Sequence, residues 1–122
     1  MALTQCPKSE VYSTNEVKTD NYWIDGSPIY RKVIELGTLP NSGQKLVNHG
    51  ISNLDKIVSA QGTAYATGVI MPIPNVAVGT QATDLQAQVN LFFPNLTQVR
   101  IITGTDRSGY TGYLILEYTK SS

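Results

Sequence analysis

Gly104-Thr105-Asp106-Arg107-Ser108-Gly109 is followed directly by Tyr110-Thr111-Gly112-Tyr113-Leu114-Ile115-Leu116-Glu117-Tyr118-Thr119-Lys120. Turn formers followed by a β-branched and aromatic run predict a tight loop that leads into a strand. Because side chains alternate along a strand, Leu114, Leu116 and Tyr118 share one face, and Tyr113 and Ile115 share the other. Both faces are therefore apolar, and both need a cover. A packed sheet of the same domain or a second copy of the chain could provide it.

Strand patterns also dominate the sequence before this stretch. Apolar and β-branched runs occur at 29–36, 45–47, 56–66, 69–71, 87–93 and 98–104. Gly62, inside the run at 56–66, suggests a bulge or bend in that strand. Pro72 and Pro74 confine the run at 69–71 to a sheet edge or a turn. With turn signals about 8 to 12 residues apart and no long helical pattern, we expect an all-β fold. The specific prediction is an antiparallel β-sandwich or jelly roll of about seven to eight strands.

The length of 122 residues indicates one domain. Residues 1–22 are polar and are expected to form an N-terminal arm, in which Ser13 and Glu16 have the spacing of a helix cap. The β-sandwich head domain is expected to span residues 23–122, beginning at Trp23.

The charge balance narrows the range of partners. The chain has 9 basic and 9 acidic residues, and only 15% of its residues are charged. Neither nucleic acid nor an anionic membrane is an expected partner, because both require a basic surface. Weak long-range repulsion favours self-association instead. Residues 1–8 lack the pattern of a secretory signal, and no segment approaches the roughly 18 apolar residues of a membrane span.

Residues that could perform catalysis are scattered. His49 is the only histidine and Cys6 the only cysteine, so their spacing supports no zinc site. No serine lies in a nucleophile-elbow motif. The aspartates at 25, 55, 84 and 106 lie in turn sequences, where Asp favours local backbone bonding. We therefore expect no catalytic residue, no metal site and no cofactor.

The tyrosine side chains are the remaining candidates for a binding surface. The chain has seven tyrosines and two phenylalanines, and tyrosine provides rigid, half-polar contact area suited to interfaces. Tyrosines within strands are expected to be half-buried, whereas Tyr110 follows a turn and is expected to be the most exposed. Asp106, Arg107 and Tyr110 thus form the candidate ligand-contact loop.

Three motifs in a fixed order resemble a known family. They are Trp23 to Lys32, His49 to Leu54, and Asp106 to Tyr110 with Leu116 to Lys120. Together they resemble the β-rich head domain found in bacteriophage tail fibres, receptor-binding proteins and related virion appendages, over about residues 12–120. The resemblance implies a homotrimer that caps a fibre, assembles with other virion proteins and contacts host-surface glycans. It also implies that the protein is made in the host cytoplasm and ends in the virion, and it assigns no binding residue.

The terminal strand then becomes the candidate oligomer interface, with one face in the sandwich core and one toward the trimer axis. Its residues are Tyr113, Leu114, Ile115, Leu116 and Tyr118. The leading hypothesis is a non-enzymatic trimeric appendage that recognises a host-surface glycan. The second is a purely structural capsid or tail decoration or assembly module, and the third is a small polysaccharide hydrolase, for which no clustered acid and base can be named.

Overall fold

The structure is a computed structural model that describes residues 11–75 and 88–121. In these residues it contains eight strands and no helix, which confirms the predicted all-β sandwich. The strands are β1 (Val17–Tyr22), β2 (Pro28–Thr38), β3 (Gln44–Asn48), β4 (Leu54–Ala66), β5 (Val69–Ile73), β6 (Val89–Phe92), β7 (Gln98–Thr103) and β8 (Thr111–Lys120).

The strands form two antiparallel sheets. The larger sheet has the order β1-β2-β8-β4-β5, and the smaller has the order β3-β7-β6. Strand β8 thus lies in the middle of the five-stranded sheet, paired with β2 on one side and β4 on the other. The proline-containing strand β5 lies at an edge, as predicted, where a missing N–H costs no ladder hydrogen bond.

The core lies between the two sheets. The inner face of β8 contributes Leu114, Leu116 and Tyr118, all fully buried, and β7 contributes Val99 and Ile101 from the opposite side. Alternating inward side chains from both sheets are the normal construction of a sandwich core.

Tyr118 connects the core to the segment before β1. Its ring stacks on Tyr30 with centroids 6.1 Å apart, and its hydroxyl donates a 2.7 Å hydrogen bond to Glu16 Oε1. Burial and this acceptor both raise the pKa of Tyr118 well above its usual value, so the phenol stays neutral. The other Glu16 oxygen accepts from Lys120 Nζ at 2.9 Å.

Local details differ from the sequence predictions. The described part of the expected arm contains β1, which pairs with β2, while the boundary at residue 22 stays a prediction. Ser13 and Glu16 form no helical turn, because Glu16 instead binds β8. The bulge predicted at Gly62 is also wrong, since the register shifts of β4 lie earlier, between residues 54 and 59.

Gly62 serves a different purpose in β4. A β-carbon at this position would overlap the carbonyl oxygen of Tyr113 and would lie 2.9 Å from its carbonyl carbon. Glycine is therefore required because two backbones approach closely, not because the strand bends.

Candidate functional site on the outer face of the five-stranded sheet

The outer face of the five-stranded sheet carries aromatic and polar side chains in register. Tyr113 in β8 lies directly opposite Glu35 in β2 and Thr63 in β4. Ile115, two residues further along β8, lies opposite Val33 and Gln61. Side chains opposite one another on antiparallel strands have β-carbons about 5 Å apart, so these rows form a continuous surface.

This surface is concave and forms an open groove of about 720 Å³, a volume within the range of small-ligand sites. We call it the tyrosine groove. Its lining residues are Tyr12, Ser13, Thr14, Val33, Glu35, Gly37, Tyr65, Thr111, Gly112, Tyr113 and Ile115.

The segment before β1 forms one wall of the tyrosine groove. The amide of Val33 donates to the Ser13 carbonyl at 2.8 Å, and Arg31 Nη2 donates to the Val11 carbonyl at 2.9 Å. The Arg31 guanidinium also lies 4.2 Å from the centre of the Tyr12 ring. These contacts hold Tyr12 beside the sheet, although the ring remains more than half exposed.

The polar groups of the groove are one carboxylate and several hydroxyls. Among the described lining residues Glu35 is the one carboxylate, and Ser13, Thr14 and Thr111 provide hydroxyls. Tyr65 and Tyr113 remain 51% and 36% exposed, so their rings are available for contact. Aromatic faces combined with a few hydrogen-bonding groups are typical of a binding site.

A shallower depression of about 390 Å³ adjoins the groove at Ile115. It extends across β4 to Pro72 and Pro74 at the β5 edge. An extended ligand in the groove could continue along it.

The structure divides the candidate oligomer interface between two surfaces. Leu114, Leu116 and Tyr118 lie in the core and are not accessible to a second chain. Tyr113 and Ile115 lie on the outer face, in the groove. The second apolar face of β8 is therefore left open within the described part of the chain.

The candidate ligand-contact loop is tightly folded against residues 39–41. Asp106 Oδ1 accepts from the Ser108 amide at 2.9 Å, and the Arg107 amide donates to the Pro40 carbonyl at 3.1 Å. Tyr110 is half-buried against the core, with the Arg107 guanidinium 5.3 Å from its ring centre. The expectation that Tyr110 is the most exposed tyrosine is therefore wrong, because Tyr12, Tyr22 and Tyr65 are all more exposed.

The aspartates named from the sequence are spread over the molecule. Asp25 accepts from the Ser27 amide at 2.9 Å, and the Ser27 and Ser108 hydrogen bonds lower the pKa values of Asp25 and Asp106 respectively. Asp55 belongs to β4, not to a turn, and binds Lys56 and Thr119. Asp84 lies outside the described residues.

His49 has a structural environment. It is almost fully buried, its Nδ1 accepts from the Ile51 amide at 3.1 Å, and its ring packs near Phe93. Desolvation by burial and the nearby positive charge of Lys32 lower the pKa of His49 below its usual 6.5. The folded state therefore favours the neutral imidazole.

His49 should make stability depend on pH. Protonation of His49 is less favourable in the folded than in the unfolded state. The contribution of neutral His49 to the free energy of unfolding is therefore fully present above about pH 6.5, and it decreases as the pH falls toward the lowered folded pKa. We expect urea midpoints to decrease between pH 7.5 and pH 5.5. In H49N, whose amide oxygen can still accept from Ile51, most of that dependence should disappear. An unchanged pH dependence in H49N would contradict this account, since the chain has no other histidine.

Most groove residues were not anticipated as a site. The sequence places Tyr12 in the expected arm and Tyr65 in a strand, where it is expected to be half-buried. One signal was present: Tyr113 alternates with Leu114 and Leu116 along β8, which places its ring on the face opposite the leucines. The proximity of Tyr65 to Tyr113 depends on the pairing of β4 with β8, which local sequence does not specify.

Among the described residues, no group of three or more histidine, cysteine or acidic side chains is placed to hold a metal ion. In the same part of the chain, there is no helix with the length and apolarity to cross a membrane. Comparisons of the chain with protein-family models, with curated proteins and with solved structures find no match.

Proposed function

We propose that the protein is a non-enzymatic binding module of a bacteriophage virion appendage, and that it recognises a host-surface glycan through the tyrosine groove. The observation that carries this proposal is the placement of three tyrosine rings around one concave surface, Tyr12, Tyr65 and Tyr113. The motif resemblance supplies the virion context, and the groove supplies a site of the right size and chemistry.

The composition of the groove suits a sugar. Sugar rings present apolar C–H faces that can lie on tyrosine rings, which lose little conformational entropy on binding. Their hydroxyl groups need partners, and Ser13, Thr14 and Thr111 line the same groove. The groove is built on paired strands and a bonded wall, so the site is largely formed before the ligand arrives.

Glycan binding by a tyrosine double variant tests this proposal. In Y65A/Y113A we expect affinity for the glycans held by the wild type to fall at least about tenfold, because buried aromatic contacts dominate such interfaces. The matched control is Y22A, which removes a tyrosine that is 64% exposed, more than either groove tyrosine, from edge strand β1. A glycan array followed by titration calorimetry measures both.

The variant R107A addresses the other candidate contact. If R107A abolishes glycan binding while Y65A/Y113A retains it, the contact lies in the loop from Asp106 to Tyr110, and the groove assignment is wrong. Binding that is lost in the groove variant alone supports the proposal.

Self-association is the second part of the proposal, and the outer face of the three-stranded sheet favours it. Leu46, Arg100 and Phe92 lie side by side across β3, β7 and β6. Leu46 and Phe92 are 49% and 55% exposed, and Ile102 is exposed nearby on the same face. An aromatic ring, an arginine and aliphatic side chains are a typical interface composition.

Light scattering, which measures the oligomeric state, and the glycan array together separate a glycan-binding head from a purely structural module. A trimer that binds a glycan supports the appendage head, whereas a trimer that binds no glycan on the array favours a structural decoration or assembly module. A stable monomer at micromolar concentration would exclude a self-assembled head.

A further inference from the structure

We propose that the glycan recognised by the tyrosine groove carries a free amino group, positively charged, for which Glu35 is the counter-ion. This inference rests on the proposed function and adds the chemical class of the ligand.

Glu35 is the single charged residue among the described residues that line the groove, which contain no lysine or arginine. Its side chain is exposed on the outer face, directly opposite Tyr113 on the neighbouring strand. A ligand that lies on the Tyr113 ring therefore lies beside the Glu35 carboxylate.

Arg31 and Lys45 lie next to residues of the groove lining, and each is held by other groups. Arg31, four residues before Glu35 in β2, donates to the Val11 carbonyl and lies over the Tyr12 ring. Its partner position on β8 is Glu117, another acidic residue. Lys45 Nζ, on the other side of the groove lining beside Gly37, donates to the Leu36 and Thr38 carbonyls at 2.7 and 2.9 Å. Glu35 is therefore the one charged side chain among the described residues that line the groove.

This electrostatic pattern discriminates between polysaccharides. Uronic acids, sialic acids and phosphorylated sugars would bring a second negative charge beside Glu35, and the described lining residues include no cation to offset it. An ammonium group would instead pair with the carboxylate and could also contact the face of a tyrosine ring, where cations are attracted by the π electrons. An amino sugar satisfies both the aromatic and the acidic parts of the groove.

The test compares two oligosaccharides that differ only at nitrogen. They are a β-1,4-linked glucosamine tetramer, which carries free amines, and its fully N-acetylated counterpart, which is neutral. Titration calorimetry with the whole chain at pH 6, where the sugar amines are protonated, and at low salt should show about five- to tenfold tighter binding of the free-amine tetramer. In E35Q the preference should disappear, and raised salt should reduce it in the wild type.

The variant E117Q is the matched control. It removes the same charge from the same face of the sheet, on the neighbouring strand and outside the groove lining. E117Q should keep the preference for free amines. If E117Q and E35Q reduce it equally, the effect is a general one of net charge, and Glu35 is not the counter-ion.

The remaining outcomes distinguish failure of the charge inference from failure of the proposed glycan-binding function. Equal binding of the two tetramers, unchanged in E35Q but lost in Y65A/Y113A, overturns the charge inference and leaves the groove function standing. Binding of neither tetramer by a protein that holds a neutral glycan on the array also overturns the charge inference. A protein that binds no glycan on the array or in titration overturns the proposed function itself.

Discussion

Replacement of Gly62 by alanine is expected to destabilise the fold by about 3 kcal/mol or more, with a decrease of at least about 10 °C in Tm. The added β-carbon would overlap the Tyr113 carbonyl oxygen and lie 3.0 Å from the Leu114 α-carbon. These are backbone atoms of the central strand, so they cannot rotate away as a flexible side chain could. Either β4 or β8 would have to move, and both pack on the core.

The matched control for this change is G109A. Nothing lies within 4 Å of a β-carbon built at Gly109, so the substitution should alter stability by less than about 1 kcal/mol. Urea unfolding of the two variants provides the comparison. Equal midpoints for G62A and G109A would show that β4 and β8 do not approach each other as closely as described here.

Replacement of Leu116 by alanine is expected to cost about 2–5 kcal/mol of unfolding free energy. Leu116 is fully buried at the middle of β8, where its cross-strand neighbours are Lys32 and Ala60. The substitution leaves a cavity between two sheets whose strands are fixed by hydrogen bonds, so the core can collapse only partly. Thermal and urea unfolding measure the loss.

The control lies on the other face of the same strand. Tyr113 is partly exposed in the groove, so Y113A should lose less than half as much stability as L116A. The two variants should also separate function from stability, because Y113A is expected to weaken glycan binding at a nearly intact fold. If Y113A were as destabilised as L116A, the outer face of β8 would have to be covered by another chain.

The sequence predicted the fold class well because the information is local. Alternating runs and turn residues indicated seven of the eight strands, and Pro72 correctly indicated an edge. Strand β1 was missed because its sequence, Val17 to Tyr22, is mostly polar and exposed. Strand β1 is held by its backbone pairing with β2. Because this pairing does not require apolar side chains at alternate positions, the sequence of β1 shows no strand pattern.

The candidate site was predicted less completely. The faces of β8 followed from alternation alone, which separates Leu116 from Tyr113. The groove depends on strands far apart in sequence, since Glu35 and Thr63 meet on either side of Tyr113. The loop was misjudged because Tyr110 follows a turn but folds back onto the core, a contact that only the tertiary structure reveals.

The central position of β8 has a consequence for how the molecule is made. The strands β1 and β2 form one hairpin, and β4 and β5 form another, yet the two hairpins share no pairing except through residues 111–120. Before residues 111–120 leave the ribosome, the nascent chain therefore contains two separate hairpins whose apolar faces are uncovered. We expect the five-stranded sheet to form only after residues 111–120 have left the ribosome, when β8 can pair with β2 on one side and β4 on the other.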